Sequence, residues 1–307
     1  MGRSPHPILA ATDLGDGSDD VVRSAAFLAH ATGADLYLIH SLDLPWTPSD
    51  DVMRRSGLFG QITSSEERLE EQARRTMPQG MRPAGQEVIL HVAHQAIVAR
   101  ARDLGADLIV VGPHRGGGVG AHFLGTTADR VIRAADVPCL VARGAFEGGI
   151  HRVGVALDHS EPAGDALDAA MALGARLSEP DDPDRAGRPS LHVMHAGWSV
   201  EEIDDPGLEE RVIRPELATH VERARANIPG AEGIPVEIEV LWANEPAACI
   251  VAWAAKREMD LLVLGTRSKN RLQRALIGSV ASRVARRAGC PVLLVPPIAA
   301  APDGASG

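Results

Sequence analysis

Two stretches of this chain space glycine and hydroxyl residues in the same way. Gly112–Pro113–His114–Arg115 leads through nine intervening residues to Gly125–Thr126, and Gly265–Thr266–Arg267–Ser268 leads through nine to Gly278–Ser279. The copies are offset by 153 residues at both the first and the last glycine. Each follows an apolar run, Asp107–Val111 or Asp260–Leu264. A strand, a loop opened by glycine, then Gly-Ser/Thr at a helix start is a way to aim backbone amides and a hydroxyl at phosphate. Asp13 and Asp158 each end an earlier apolar run, where a carboxylate can accept from a ribose hydroxyl. Position alone fits a turn aspartate equally well. Thr126 and Ser279 could likewise serve only as helix caps.

Histidines supply a second candidate chemistry. His40, His91, His94, His114 and His122 fall on segments expected at one edge of the first half, where imidazoles, joined by Asp13, could hold Zn²⁺. Apart from His91 and His94 their spacing matches no compact ligand motif, and scattered surface histidines explain them too. In the second half only His159 and His195 occupy the matching region. No GxxxxGK[ST] loop, no Gly-x-Ser-x-Gly elbow and no GxGxxG after the first strand is present. P-loop NTPase, nucleophile-elbow hydrolase and dinucleotide-dependent chemistry therefore lack their signatures.

These residues need elements to position them. In the first half, Pro7–Thr12 reads as a strand and a polar turn follows. Val21, Ala25, Leu28 and Ala29 recur at helical spacing, and Gly33 closes that helix. Leu36–Ile39 is a strand. Leu44–Gly60 reads as a loop and Ser64–Thr76 as a charged helix. Glu87–Leu90, Asp107–Val111 and Cys139–Ala142 are strands, with helices at Ala96–Leu104, closed by Gly105, and Thr127–Ala135. The second half repeats the order. Its strands are Arg152–Leu157, Ser190–Met194, Val236–Leu241, Asp260–Leu264 and Val292–Val295. Its helices are Asp165–Leu177, Leu208–Asn227, Ala247–Lys256 and Ser279–Ala288. Alternation of this kind implies two doubly wound parallel-sheet α/β domains, covering 1–144 and 150–298, with ligands at the carboxyl ends of the strands.

Composition bounds the partners. The 307 residues carry a formal charge of −10 and only 3% aromatics, which argues against nucleic-acid or anionic-membrane partners. Cys139, Cys249 and Cys290 fit no metal or redox spacing and read as buried small hydrophobes. The start of the chain lacks an uninterrupted apolar signal core, and no apolar run is long enough for a bilayer, so a cytoplasmic location is the expectation.

With these residues in view, the chain resembles the universal stress protein family along essentially its whole length, as two fused copies. The family pattern Gly-x2-Gly-x9-Gly-Ser/Thr is carried by the two loops. Ala275–Val280, Cys290–Val295, Val155–Asp158 and Ala10–Asp13 also look like family sequence. The resemblance implies an adenine nucleotide alpha hydrolase-like fold, binding of ATP or AMP and a role in stress survival, without a defined reaction. It implies Asp158 on the ribose, Gly265 at close backbone approach with Ser268 beside it, and Gly278 and Ser279 on phosphates. Asp13, Gly112, Gly125 and Thr126 are the first-half equivalents. It also suggests that Cys139–Ala142 and Val292–Val295 pair across a pseudo-twofold, an intramolecular pseudo-dimer that leaves further homodimerisation open.

The pattern's second glycine is replaced, by Arg115 in the first half and Ser268 in the second. Serine is small; arginine either fills the pocket or contacts phosphate itself. His91 and Asn244, where the family often has glycine, would narrow the adenine pocket. Three other readings stay open: a nucleotide-free scaffold or signalling adaptor for a protein partner, a slow ATP-hydrolysing or self-phosphorylating protein, and a small-ligand or zinc sensor.

Overall fold

A computed structural model describes residues 6–44, 50–113, 124–157, 163–178, 188–197, 209–266 and 277–297. By packing, the chain divides into two compact units. The first is chiefly Met1–Ile150, with Ala285–Leu293; the second comprises His151–Asp182, Gly187–Val284 and Leu294–Gly307.

The first unit alternates strands and helices: β1 (Ile8–Thr12), α1 (Asp19–Thr32), β2 (Leu36–Leu42), α2 (Asp50–Arg55), α3 (Leu58–Thr76), β3 (Gly85–Leu90), α4 (Ala93–Leu104), β4 (Leu108–Val111), α5 (Thr126–Ala134) and β5 (Cys139–Val141). Its strands run parallel in the order β3-β2-β1-β4-β5. Leu9, Leu36, Leu38, Ile39, Ile109 and Leu140 are almost wholly buried, the near-continuous apolar pattern of a sheet covered on both faces. Fully burying a leucine or isoleucine contributes about 1.5–3 kcal/mol, so these strands dominate the core. Helix ends follow local chemistry. Asp19 and Asp20 lie in the first turn of α1, favourably placed for its dipole. Gly33 and Gly105, at φ of 65° and 60°, terminate α1 and α4 in the left-handed region that glycine enters without a Cβ clash.

The second copy of the sequence follows the same plan, its Ala285–Leu293 stretch being the part grouped with the first unit: β6 (Arg152–Leu157), α6 (Ala163–Leu177), β7 (Ser190–Gly197), α7 (Arg214–Asn227), β8 (Val236–Trp242), α8 (Pro246–Lys256), β9 (Leu261–Gly265), α9 (Ser279–Arg287) and β10 (Val292–Val295). Strands β9, β6, β7 and β8 are parallel neighbours in that order. Asp260, just before β9, accepts from the amides of His151 and Arg152 at 2.8 Å each, tying the start of β6 to the start of β9.

The structure corrects several sequence boundaries. The stretch read as a loop contains α2, and α3 starts at Leu58 behind Gly57, which takes φ of 72°. The long helix read over Leu208–Asn227 splits into a π-type turn, Glu209–Ile213, and α7, which has proline in its first turn. Proline fits there because first-turn amides have no partner within the helix. β3 begins two residues earlier than expected, at Gly85. A Cβ at Gly85 would lie 2.9 Å from the Tyr37 ring, so glycine lets the two strands close together there.

Candidate functional site

In each unit the strand order reverses beside the first strand, and this reversal opens a crevice at the carboxyl ends. Ala11 pairs with Val111, so Asp13 and Gly112 leave neighbouring strands side by side. Ala156 pairs with Leu264, which places Gly265 opposite the end of β6 in the same way. Asp158 itself, with Arg115, His114, His122, His159 and Ser268, lies outside the described residues.

The loop after β1 is held from beneath by a buried polar network. Thr12 Oγ1 lies 2.8 Å from Gln72 Oε1 and 2.9 Å from Ser18 Oγ. Gln72 Nε2 donates to Ser18 Oγ and to Asp19 Oδ1, both at 2.9 Å. Ser18 donates to the Gly15 carbonyl at 2.7 Å. Leu14, at φ of 60°, occupies the left-handed region that a branched side chain avoids. It is kept there because its amide donates to Thr12 Oγ1 and its carbonyl accepts from Arg68. Backbone held in a costly conformation by its surroundings is typical of positions where geometry matters more than stability. Asp13 is exposed, and its Oδ1 accepts from Gly15 N at 2.9 Å, closing an Asx turn. The aspartate is thus a turn residue that also presents its carboxylate at the crevice.

Arg75 extends the network to the surface, donating to both oxygens of Asp19. Burial raises the Asp19 pKa, but hydrogen bonds from Arg75 and Gln72 and the charges of Arg75 and Arg23 outweigh it and hold the carboxyl below its ordinary value.

The helix starts bear directly on phosphate chemistry. Gly125 is the residue preceding α5, with extended backbone and no side-chain cap. Thr126 is the first helical residue and is exposed, so it does not cap; its hydroxyl is presented beside the unpaired first-turn amides. In the second unit Gly278 N donates to Thr266 O at 2.7 Å, fastening the start of α9 to the end of β9. Ser279 opens α9 and is exposed. The two helix starts differ in charge. The first turn of α5 contains Asp129, ion-paired with Arg133, whereas the first turn of α9 contains no acid. The start of α9 is therefore the more favourable of the two for an anion. A Cβ on Gly112 would come within 3.1 Å of Val21 Cγ2, so this glycine serves close packing of the β4 end on α1.

Among the described residues, the structure does not gather His40, His91 and His94. His40 is buried, and its Nδ1 faces the Thr12 carbonyl at 2.9 Å. A carbonyl only accepts, so Nδ1 carries the proton. His195 repeats the arrangement on the Leu157 carbonyl at 3.0 Å. His91 is exposed at the end of β3. Burial, reinforced by the Arg130 charge and outweighing Asp43, holds His94 below the usual imidazole pKa. Among the described residues, His40, His91 and His94 form no group whose ligand atoms could share one ion; the group that does is His192, Glu237 and Glu239 in the second unit.

Sequence reasoning missed Gln72, Ser18 and Thr12 as the support beneath the first loop. Thr12 was the available signal, a hydroxyl residue at the end of a buried strand where the second copy has Leu157.

Comparison with known proteins bears on the whole chain. The profile of the "Universal stress protein family" matches residues 5–143 and again 149–296. The chain is 26% identical to universal stress protein Slr1230 of Synechocystis, over 93% of its own length and 98% of that protein. A 63-residue stretch, 20% of this chain and 36% of the relative, is 48% identical to universal stress protein MJ0531 of Methanocaldococcus jannaschii. In fold, it is similar to the crystal structure of a universal stress protein from Archaeoglobus fulgidus, with a TM-score of 0.64 at 18% identity, covering 94% of this chain and 98% of that one. No described helix is long and apolar enough to cross a membrane.

Proposed function

Because the chain belongs to the universal stress protein family, in two tandem copies, we propose that it binds an adenine nucleotide, ATP or AMP, and regulates stress survival through the nucleotide state of its surface. The observation that carries this reading is the start of α9. Gly278 is bonded to the end of β9, the first turn is free of acids, and Ser279 is exposed. Backbone amides and a hydroxyl there supply neutral donors to an anion, together with the positive end of the helix dipole. Gly265 permits close approach, Gly278 fixes the helix start so that Ser279 and the first-turn amides hold phosphate, and Asp158 takes the ribose. In the first unit Asp13, Gly112, Gly125 and Thr126 take the matching roles. Arg115 replaces a pattern glycine there, which favours a second reading for that unit: its pocket is filled by the chain itself and serves as scaffold.

Isothermal titration with ATP and AMP tests the proposal, with GTP as control. Gly278→Asp puts a carboxylate at the phosphate position. Aspartate is a good residue for a helix start, so the variant keeps its fold. Its affinity is expected to fall about ten-fold or more, a loss of about 1.4 kcal/mol. Gly125→Asp reads the first unit in the same way, and the wild-type stoichiometry tells one site from two. No binding by the wild type, or full affinity in both variants, overturns the proposal.

A further inference from the structure

We propose that the second unit holds a divalent transition-metal ion of the Zn²⁺ class on His192, Glu237 and Glu239, a site separate from the nucleotide crevice. His192 lies in β7 and Glu237 is its register partner in β8; Glu239, two residues on, returns to the same face. One ligand atom from each lies within 4.8 Å of the others.

The hydrogen bonding of His192 points to an ion. Its side chain is only 9% exposed. Nε2 lies 3.1 Å from Ser190 Oγ, and Ser190 Oγ lies 3.2 Å from the His151 carbonyl. The carbonyl can only accept; with the serine proton on it, Nε2–H donates to the serine oxygen. In that tautomer Nδ1 keeps a bare lone pair. Nδ1 is buried and makes no hydrogen bond. Its near neighbour is Glu237 Oε2 at 3.3 Å, a second acceptor. Two acceptors face to face repel unless a metal cation or a proton lies between them, and the missing hydrogen bond at Nδ1 favours the metal.

The surroundings match a metal site. A ligating imidazole usually donates its other N–H to an oxygen that fixes its orientation, as Ser190 does here. Glu239 Oε1 accepts from Trp253 Nε1 at 3.2 Å and from Arg257 at 2.9 Å, which orients the carboxylate. Glu237 is 62% exposed and gives the ion a path from solvent. One imidazole with two carboxylates suits Zn²⁺ and its neighbours, and three protein ligands leave a position for water or an incoming donor. The first unit provides an internal contrast. At the matching places of its β2–β3 pair stand Tyr37 and Gly85, with Glu87 engaged by Arg100. The triad belongs to the second copy alone among these described positions.

Titration of the chelator-treated full chain with Co²⁺, read by visible absorption, and then with Zn²⁺ by calorimetry tests the proposal. One saturable Co²⁺ site, displaced by Zn²⁺, is expected. Glu237→Gln and His192→Tyr, the latter the residue of the first copy, should each abolish it, and Ser190→Ala should weaken it about ten-fold. Glu258→Gln, an exposed acid elsewhere, should leave it intact. Glu237 is exposed, so its variant folds and keeps the test decisive if His192→Tyr does not. Absence of a Co²⁺ site, or a site that survives Glu237→Gln unchanged, overturns the proposal. Retention of ATP affinity in Glu237→Gln keeps this result independent of the nucleotide reading.

Discussion

Replacing Gln72 by leucine should loosen the first unit while leaving the second untouched. Gln72 is 1% exposed and joins α3 to the β1 loop through Thr12, Ser18 and Asp19. Leucine nearly conserves volume, so the change removes hydrogen bonds without opening a large cavity. Two lost bonds are neutral, at about 0.5–1.5 kcal/mol each, and the one to Asp19 is charge-assisted, at about 1.5–3 kcal/mol. The partners are not fully orphaned. Thr12 can turn its proton to Ser18, Ser18 keeps Gly15, and Asp19 keeps Arg75. Leucine burial recovers about 1.5–3 kcal/mol. The net cost is therefore about 2 kcal/mol, a factor of roughly 30 in a local opening equilibrium. Hydrogen exchange followed peptide by peptide reads each unit separately. Amides of α1 and α3 should exchange roughly 30-fold faster, with those of α6 and α8 unchanged. The Leu14 turn should relax as well. Exchange in α1 and α3 altered by less than about three-fold, or equally faster exchange in both units, would refute the reasoning.

Other consequences follow from single contacts. Gly154→Ala places a Cβ 2.8 Å from both Leu262 Cδ2 and Trp253 Cζ3, and should cost about 1–3 kcal/mol by overpacking, measured as slower-to-form and faster-exchanging β6 amides. Burial pushes the Cys139 thiol up to about 12, so iodoacetamide at neutral pH should label Cys139 only after denaturation, as peptide mass spectrometry can show. Asp19 has a depressed folded pKa; its stabilising contribution is complete above the ordinary carboxyl value of 3.8 and is lost as pH falls through the lower folded value. Asp19→Asn should therefore flatten the acid limb of first-unit stability in exchange experiments between about pH 2 and 5.

The alternation of buried strands with helices was legible because parallel strands covered on both faces are apolar throughout, and because Gly33 and Gly105 stop helices by a local mechanism. Helix α2 was not, since Asp50–Arg55 is short, largely polar and preceded by Pro45 and Pro48, which suggest a loop. At the site, the glycine–hydroxyl spacing located both helix starts, but not which residue lies outside the helix. Thr126 looked able to cap, and Gly125 occupies that place instead. Long-range polar contacts were illegible for a physical reason. Thr12 and Gln72 are sixty residues apart, and no local pattern joins them. His40 looked like a metal ligand by its position at a strand end, while tertiary packing gives its Nδ1 to a carbonyl. His192 lies inside a strand with no local signal to mark it, and only pairing of β7 with β8 brings two glutamates to it.

Native mass spectrometry of the intact chain in the presence of excess ATP, repeated with Gly278→Asp, addresses the central claim most directly. The account predicts discrete ATP or AMP adducts on the wild type, and loss of one adduct per chain in the variant. A wild-type spectrum without nucleotide adducts, together with no rise in Tm at millimolar ATP, would contradict it.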